Sequence, residues 1–76
     1  MILLTSTSCT PCKIVKAYIE ENNLKDKVNY VDITSPDGRQ LVQDKGVRSV
    51  PTLIVPAGLV VGQQPIMKLL KELKED

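Results

Sequence analysis

The chain has no histidine, no tryptophan and no phenylalanine, and only two tyrosines and two cysteines among its 76 residues. Without large aromatics the core has to be built from Ile, Leu and Val. Two cysteines and no histidine fall short of the four ligands a zinc site normally takes, leaving only carboxylates or a second subunit to complete one. The formal net charge is +1, which gives no electrostatic case for nucleic acid or an anionic membrane surface as the main partner. Long hydrophobic runs are also missing. Ile2-Leu3-Leu4 is too short for the apolar region of a signal peptide and has no basic segment before it, and no stretch approaches transmembrane length. These absences point to a cytoplasmic chain in a reducing compartment. There a stable structural disulfide is not expected, and two cysteines would cycle between thiol and disulfide.

A chain of this length predicts one domain, residues 1–76, that buries only about 60% of its unfolded surface. Ile2–Thr5 reads as a short buried strand, apolar on both faces, and Thr5-Ser6-Thr7-Ser8 as a polar loop. A helix is predicted from Thr10 to Asn22, with Pro11 in its first turn and Ile14, Val15, Tyr18 and Ile19 as its buried stripe. Val28–Ile33, rich in β-branched residues, is the second strand. Ser35 reads as an N-cap with Pro36 at the first helical position, opening a helix that turns Leu41 and Val42 inward and stops at Gly46. Residues 51–55 form a third strand, Pro56-Ala57-Gly58 a turn, and Leu59–Val61 a fourth strand in an antiparallel hairpin. After Gly62 a last helix places Ile66, Leu69, Leu70 and Leu73 on one face. Its charged tail, residues 71–76, reads as a solvated end. The order is β-α-β-α-β-β-α.

Within this order the informative motif is Cys9-Thr10-Pro11-Cys12, between a strand and a helix. The spacing puts one thiol at the helix mouth and the other one turn in, close enough to bridge. Unpaired N–H groups and the macrodipole favour an anion there. Cys9 is therefore expected to ionise below the free-thiol value of about 8.5, and a C-x-x-C in this context reads as a redox motif. Lys13 follows as a solvent-facing charge. Asp32, at a strand end, reads as a turn residue, and Tyr18 as core. The second signature is Arg48-Ser49-Val50-Pro51-Thr52. A proline opening a strand is a candidate cis bond, which would turn the preceding N–H and C=O towards an extended substrate segment.

Together, the C-x-x-C after the first strand, Val50-Pro51-Thr52 before the third, and the element order resemble the glutaredoxin branch of the thioredoxin superfamily. The resemblance spans essentially the whole chain. It implies an α/β thioredoxin-like (glutaredoxin-type) fold, a central four-stranded mixed sheet flanked by three helices, with Pro51 cis and beside the cysteines. It also implies a dithiol–disulfide oxidoreductase and electron carrier that needs no cofactor or metal. Cys9 would attack a protein disulfide and Cys12 would resolve the mixed disulfide. Thr10, Pro11, Val50, Pro51 and Gly62 would border the substrate.

Departures narrow the branch. Glutathione-binding glutaredoxins carry a basic residue before the motif, and Met1–Ser8 has none. They also carry two glycines and acids where this chain reads Gly62-Gln63-Gln64-Pro65. Gly62-x-x-Pro65 and Gly46-Val47-Arg48-Ser49-Val50-Pro51 are instead similar to the NrdH redoxins, although Gln63 and Gln64 replace an aromatic and basic pair. That resemblance implies a monomer reduced by thioredoxin reductase, with ribonucleotide reductase as a client. Three alternatives stay open: a glutathione-dependent glutaredoxin, an inert thiol pair, and a non-catalytic docking or subunit-bridging iron–sulfur module.

Overall fold

Leu3 and Leu4 are adjacent in sequence and both fully buried, which requires a strand covered on both faces. They lie in β1 (Ile2–Thr5), at the centre of the computed structural model, which describes residues 1–75. β1 pairs in parallel with β2 (Asn29–Asp32) and antiparallel with β3 (Thr52–Val55), and β4 (Gly58–Val61) pairs antiparallel with β3. The sheet order is β2-β1-β3-β4. Three helices complete the β-α-β-α-β-β-α order: α1 (Thr10–Glu21), α2 (Pro36–Lys45) and α3 (Gln63–Glu75). Asp76, the last residue of the predicted solvated tail, lies outside the described residues.

α1 and α3 pack together on one face, where Leu3, Val15, Ile19, Leu24, Val28, Leu53, Ile66 and Leu70 form a wholly aliphatic core. Tyr18 and Tyr30 pack against its margin. α2 meets the sheet over β2, and the tightest approach there is at Gly38. A Cβ on Gly38 would overlap the backbone carbonyl of Asp32 and come within 2.8 Å of Ile33 Cα.

The predicted caps form. Ser35 Oγ accepts from the Gly38 N–H at 3.0 Å, Pro36 opens α2, and Gly46 ends it in the left-handed conformation at φ 67°. Asp32 is a turn residue: its carboxylate accepts from the Thr34 hydroxyl at 2.6 Å and the Thr34 N–H at 2.7 Å. These two bonds, the hydroxyl first, hold its carboxyl below the usual carboxylate range.

The structure departs from the expected elements in several places. Ile14, expected in the buried stripe of α1, is 44% exposed. The buried residues are Cys12, Val15 and Ile19, so the second cysteine occupies the stripe and Ile14 is rotated off it. Leu41 and Val42 are only half-buried. The second strand is shorter than Val28–Ile33, although Val28 is still core and the Ile33 N–H still bonds the Thr5 carbonyl at 2.9 Å. β3 begins at Thr52 rather than Pro51, which has no N–H to give a ladder. The hairpin loop is Pro56-Ala57, because Gly58, at φ 146°, already pairs with Val55.

Two outcomes follow. Gly38→Ala forces a methyl into backbone that cannot move aside, so it is expected to cost about 2–3 kcal/mol. In a domain of this size that lowers Tm by roughly 10 °C or more; an unchanged melting curve would contradict the close approach of α2. The second concerns acid. A carboxyl lowered in the folded state stabilises it above the unfolded value of about 3.9, and loses that contribution as pH falls through the lower folded value. Thr34→Ala should therefore move the Asp32 titration up towards the ordinary range, followed by carboxyl NMR. A titration that stays in place would show that Thr34 does not set it.

Candidate active site

The strand registers gather the C-terminal ends of β1, β2 and β4 and the N-terminal end of β3 along one edge of the sheet. Thr5 lies opposite Asp32, and Thr52 lies opposite both Leu4 and Val61. From this edge spring the Ser6–Cys9 loop, the segment ending in Val50-Pro51, and Gly62.

A tight turn delivers the first cysteine. The Cys9 N–H donates to the Ser6 carbonyl at 3.2 Å, and the Ser8 N–H donates to Ser6 Oγ at 3.4 Å. Cys9 then caps α1: its backbone is extended, and its Sγ accepts from the Cys12 N–H at 3.2 Å. Pro11 sits in the first turn, where its missing N–H leaves no bond unmade. Cys9 and Cys12 form a disulfide, with Cα atoms 5.2 Å apart. The two sulfurs are not equivalent. Cys9 is half-exposed, whereas Cys12 is 1% exposed and faces the interior. Thr10, Pro11 and Lys13 are exposed around them.

The second group of expected residues lies on the neighbouring segments. The Val50–Pro51 peptide is cis. Thr52 is fully buried, and its hydroxyl donates to the Ser49 carbonyl at 2.7 Å, which closes the loop before β3. The Pro51 carbonyl accepts the Gly62 N–H at 3.0 Å. Gly62, at φ 97°, in turn accepts the Ile66 N–H at 3.2 Å and starts α3. Among the described residues no backbone hydrogen bond within the chain involves Val50, so its N–H and C=O are free. Thr10, Pro11, Val50, Pro51 and Gly62 thus share one end of the sheet with the dithiol. Among the described residues no third metal-ligating side chain clusters with the two thiols.

Sequence reasoning missed two things here. One is the role of Cys9 as a side-chain cap, since sulfur is not among the usual capping atoms. The other is a pocket lined by Ile33, Val42, Val47, Arg48, Ser49 and Val50. Its residues come from three separate segments, and only the pairing of strands and packing of α2 bring them together.

The glutaredoxin family profile matches residues 1–60, and the chain belongs to the glutaredoxin family. It is also similar to two thioredoxins. One is from Griffithsia pacifica, 28% identical over 74 residues, covering 88% of this chain and 68% of the relative. The other is thioredoxin 1 of a Nostoc species, 28% identical over 74 residues, covering 88% and 69%. Among solved structures, a single-residue variant of the thioredoxin-like protein BC3987 superposes with a TM-score of 0.74 at 30% identity, covering 95% of this chain and 96% of that one. The unsubstituted protein gives 0.75 at 28% identity with the same coverage. The fold is thioredoxin-like. With its bridged C-x-x-C pair, the chain is a dithiol–disulfide oxidoreductase.

The burial difference has a direct readout. In the reduced protein, iodoacetamide is expected to modify Cys9 faster than Cys12 by on the order of tenfold or more, since alkylation needs an accessible thiolate. Equal labelling by mass spectrometry would contradict the buried position of Cys12.

Proposed function

We propose that Cys9 is the attacking thiol and Cys12 the resolving one, in a carrier that reduces protein disulfides. The Cys9 thiolate attacks one sulfur of the substrate disulfide and displaces the other as a thiolate, leaving a Cys9–substrate mixed disulfide. Cys12 gives up its proton and attacks the Cys9 sulfur. The Cys9–Cys12 bond forms, the second substrate thiol leaves, and two electrons have passed to the substrate. The observation that carries this assignment is the pairing of a half-exposed Cys9 with a buried Cys12 in one disulfide. A substrate meets Cys9 first, and Cys12 reaches nothing larger than its neighbour. Val50 and Pro51 border the groove, where the free N–H and C=O of Val50 suit an extended segment added as a strand. Thr10, Pro11 and Gly62 form the rest of its rim.

The reductant in this reading is thioredoxin reductase, as in the NrdH branch, with ribonucleotide reductase among the clients, and the 76 residues work as one monomeric cytosolic domain. The support is local. No basic residue lies between Met1 and Ser8, and the first turn of α3, after Gly62, has no acid to take the amine of glutathione. Among the described residues no helix is long and apolar enough to cross a membrane.

The test is a coupled NADPH-oxidation assay on a small disulfide, run with thioredoxin reductase and, separately, with glutathione and glutathione reductase. Turnover with thioredoxin reductase alone is expected; turnover mainly with glutathione would make this a glutathione-dependent glutaredoxin. Cys9→Ser should reduce turnover to the buffer rate, and Cys12→Ser should accumulate a mixed disulfide on Cys9. Mapping that adduct to Cys12 instead would reverse the two roles.

A further inference from the structure

Beside the Val50-Pro51 segment, between α2 and the loop that follows it, Ile33, Val42, Val47, Arg48, Ser49 and Val50 line an open pocket of about 170 Å³. Four of its six lining residues are β-branched aliphatics, each half-buried and so leaving apolar surface uncovered. Arg48 and Ser49 are exposed. We propose that this pocket receives one large apolar side chain of the substrate polypeptide, close to its reactive cysteine, and that Arg48 takes a neighbouring carboxylate. The substrates so selected are protein disulfides whose cysteine is flanked by an aliphatic or aromatic residue and an acidic one. The inference rests on the reading that Val50 and Pro51 border the substrate groove.

Three observations converge on this occupant. The first is continuity: Val50 lines the pocket and also carries the free backbone groups. A segment paired there as an added strand sends alternate side chains to pockets beside the groove. The second is size, since an apolar cavity of roughly 150 Å³ holds a benzene ring. A pocket of about 170 Å³ therefore suits a single Leu-, Ile- or Phe-sized group. The third is charge. The guanidinium of Arg48 can pair with a carboxylate through two parallel hydrogen bonds. Glutathione could offer Arg48 a carboxylate but fails the size condition, because its cysteine side chain must reach Cys9 and it has no apolar side chain left to fill the pocket.

The test uses the pre-reduced protein in single turnovers, so that it does not depend on the reductant. The substrates are octapeptides with one cysteine disulfide-linked to 2-mercaptoethanol. A Gly host is replaced by Leu, Glu or Lys at each of the three positions on either side of the cysteine. Leu at one register position is expected to raise the second-order rate constant by about tenfold over Gly. Glu next to that position should raise it further and Lys lower it, with both effects shrinking as salt is added. Arg48→Glu should invert the order of the Glu and Lys peptides, and Val42→Phe, which fills the pocket, should erase the Leu advantage. Hydroxyethyl disulfide, too small to reach the pocket, separates the two readings in the wild type. If it is not reduced, the oxidoreductase mechanism fails. If it is reduced while the peptides all react alike, the pocket is not a substrate site, and this wild-type comparison decides the matter even where a variant does not fold. A glutathione-linked host peptide that outruns every Leu and Glu peptide would also overturn the proposal, by assigning the site to glutathione.

Discussion

The Cys12 N–H donates to the Cys9 sulfur across the first turn of α1, and this contact links the fold to the chemistry. It fills the place that a Ser or Asp oxygen takes at most helix starts, so helix initiation and thiol placement use the same atom. It also sets the asymmetry between the sulfurs. The capping residue must lie outside the helix, half-exposed at its mouth. The residue three positions on falls on the buried stripe with Val15 and Ile19. One thiol open to a partner and one held behind it therefore follow from helix geometry and an amphipathic pattern, without any buried charge.

The mouth of α1 is in turn held by β1. Three of the four residues of this strand are buried, and the sheet grows from both of its sides. With no Phe or Trp, the central core cluster is built of aliphatic side chains, and elsewhere α2 comes close to β2. Gly38 of α2 shows this most clearly, lying against the Asp32 carbonyl with no room for a methyl. The Asp32–Thr34 turn and the Ser35 cap then fix where α2 begins, and so where the loop after it returns to the sheet beside the dithiol.

The proposed substrate groove would lie where this topology gathers the strand ends. β3 runs antiparallel to β1, so its start lies beside the end of β1, and half-buried Val50, just before the buried Pro51, forms the lip there. Thr52 bonds the Ser49 carbonyl below that lip, and the Gly62 N–H bonds the Pro51 carbonyl from the side. Val50 is left between them with unpaired backbone, next to an apolar pocket. The same hydrogen bonds that pin down the loop are what leave its outer groups free for a partner.

Much of this was legible in the chain itself. Local chemistry set the helix starts at Ser35-Pro36 and at the C-x-x-C, the stop at Gly46, the hairpin around Pro56-Ala57 and the double-faced strand at Ile2–Thr5. Each depends on neighbours within a few residues, through capping, a fixed proline φ or a glycine that reaches positive φ. Local pattern also brought the two cysteines together, since three residues of helix can be bridged with no help from elsewhere. What sequence could not decide was everything requiring distant segments to meet. Ile14 matched a helical stripe, and only the position of α1 on the sheet turned it outward in favour of Cys12. The need for glycine at 38 depends on β2 passing beneath it. The pocket of Ile33, Val42, Val47 and Arg48 exists only once α2 is docked. Side-chain periodicity sets which face of an element is apolar, but the packing of elements against one another determines which groups stay exposed at the edge where the chemistry occurs.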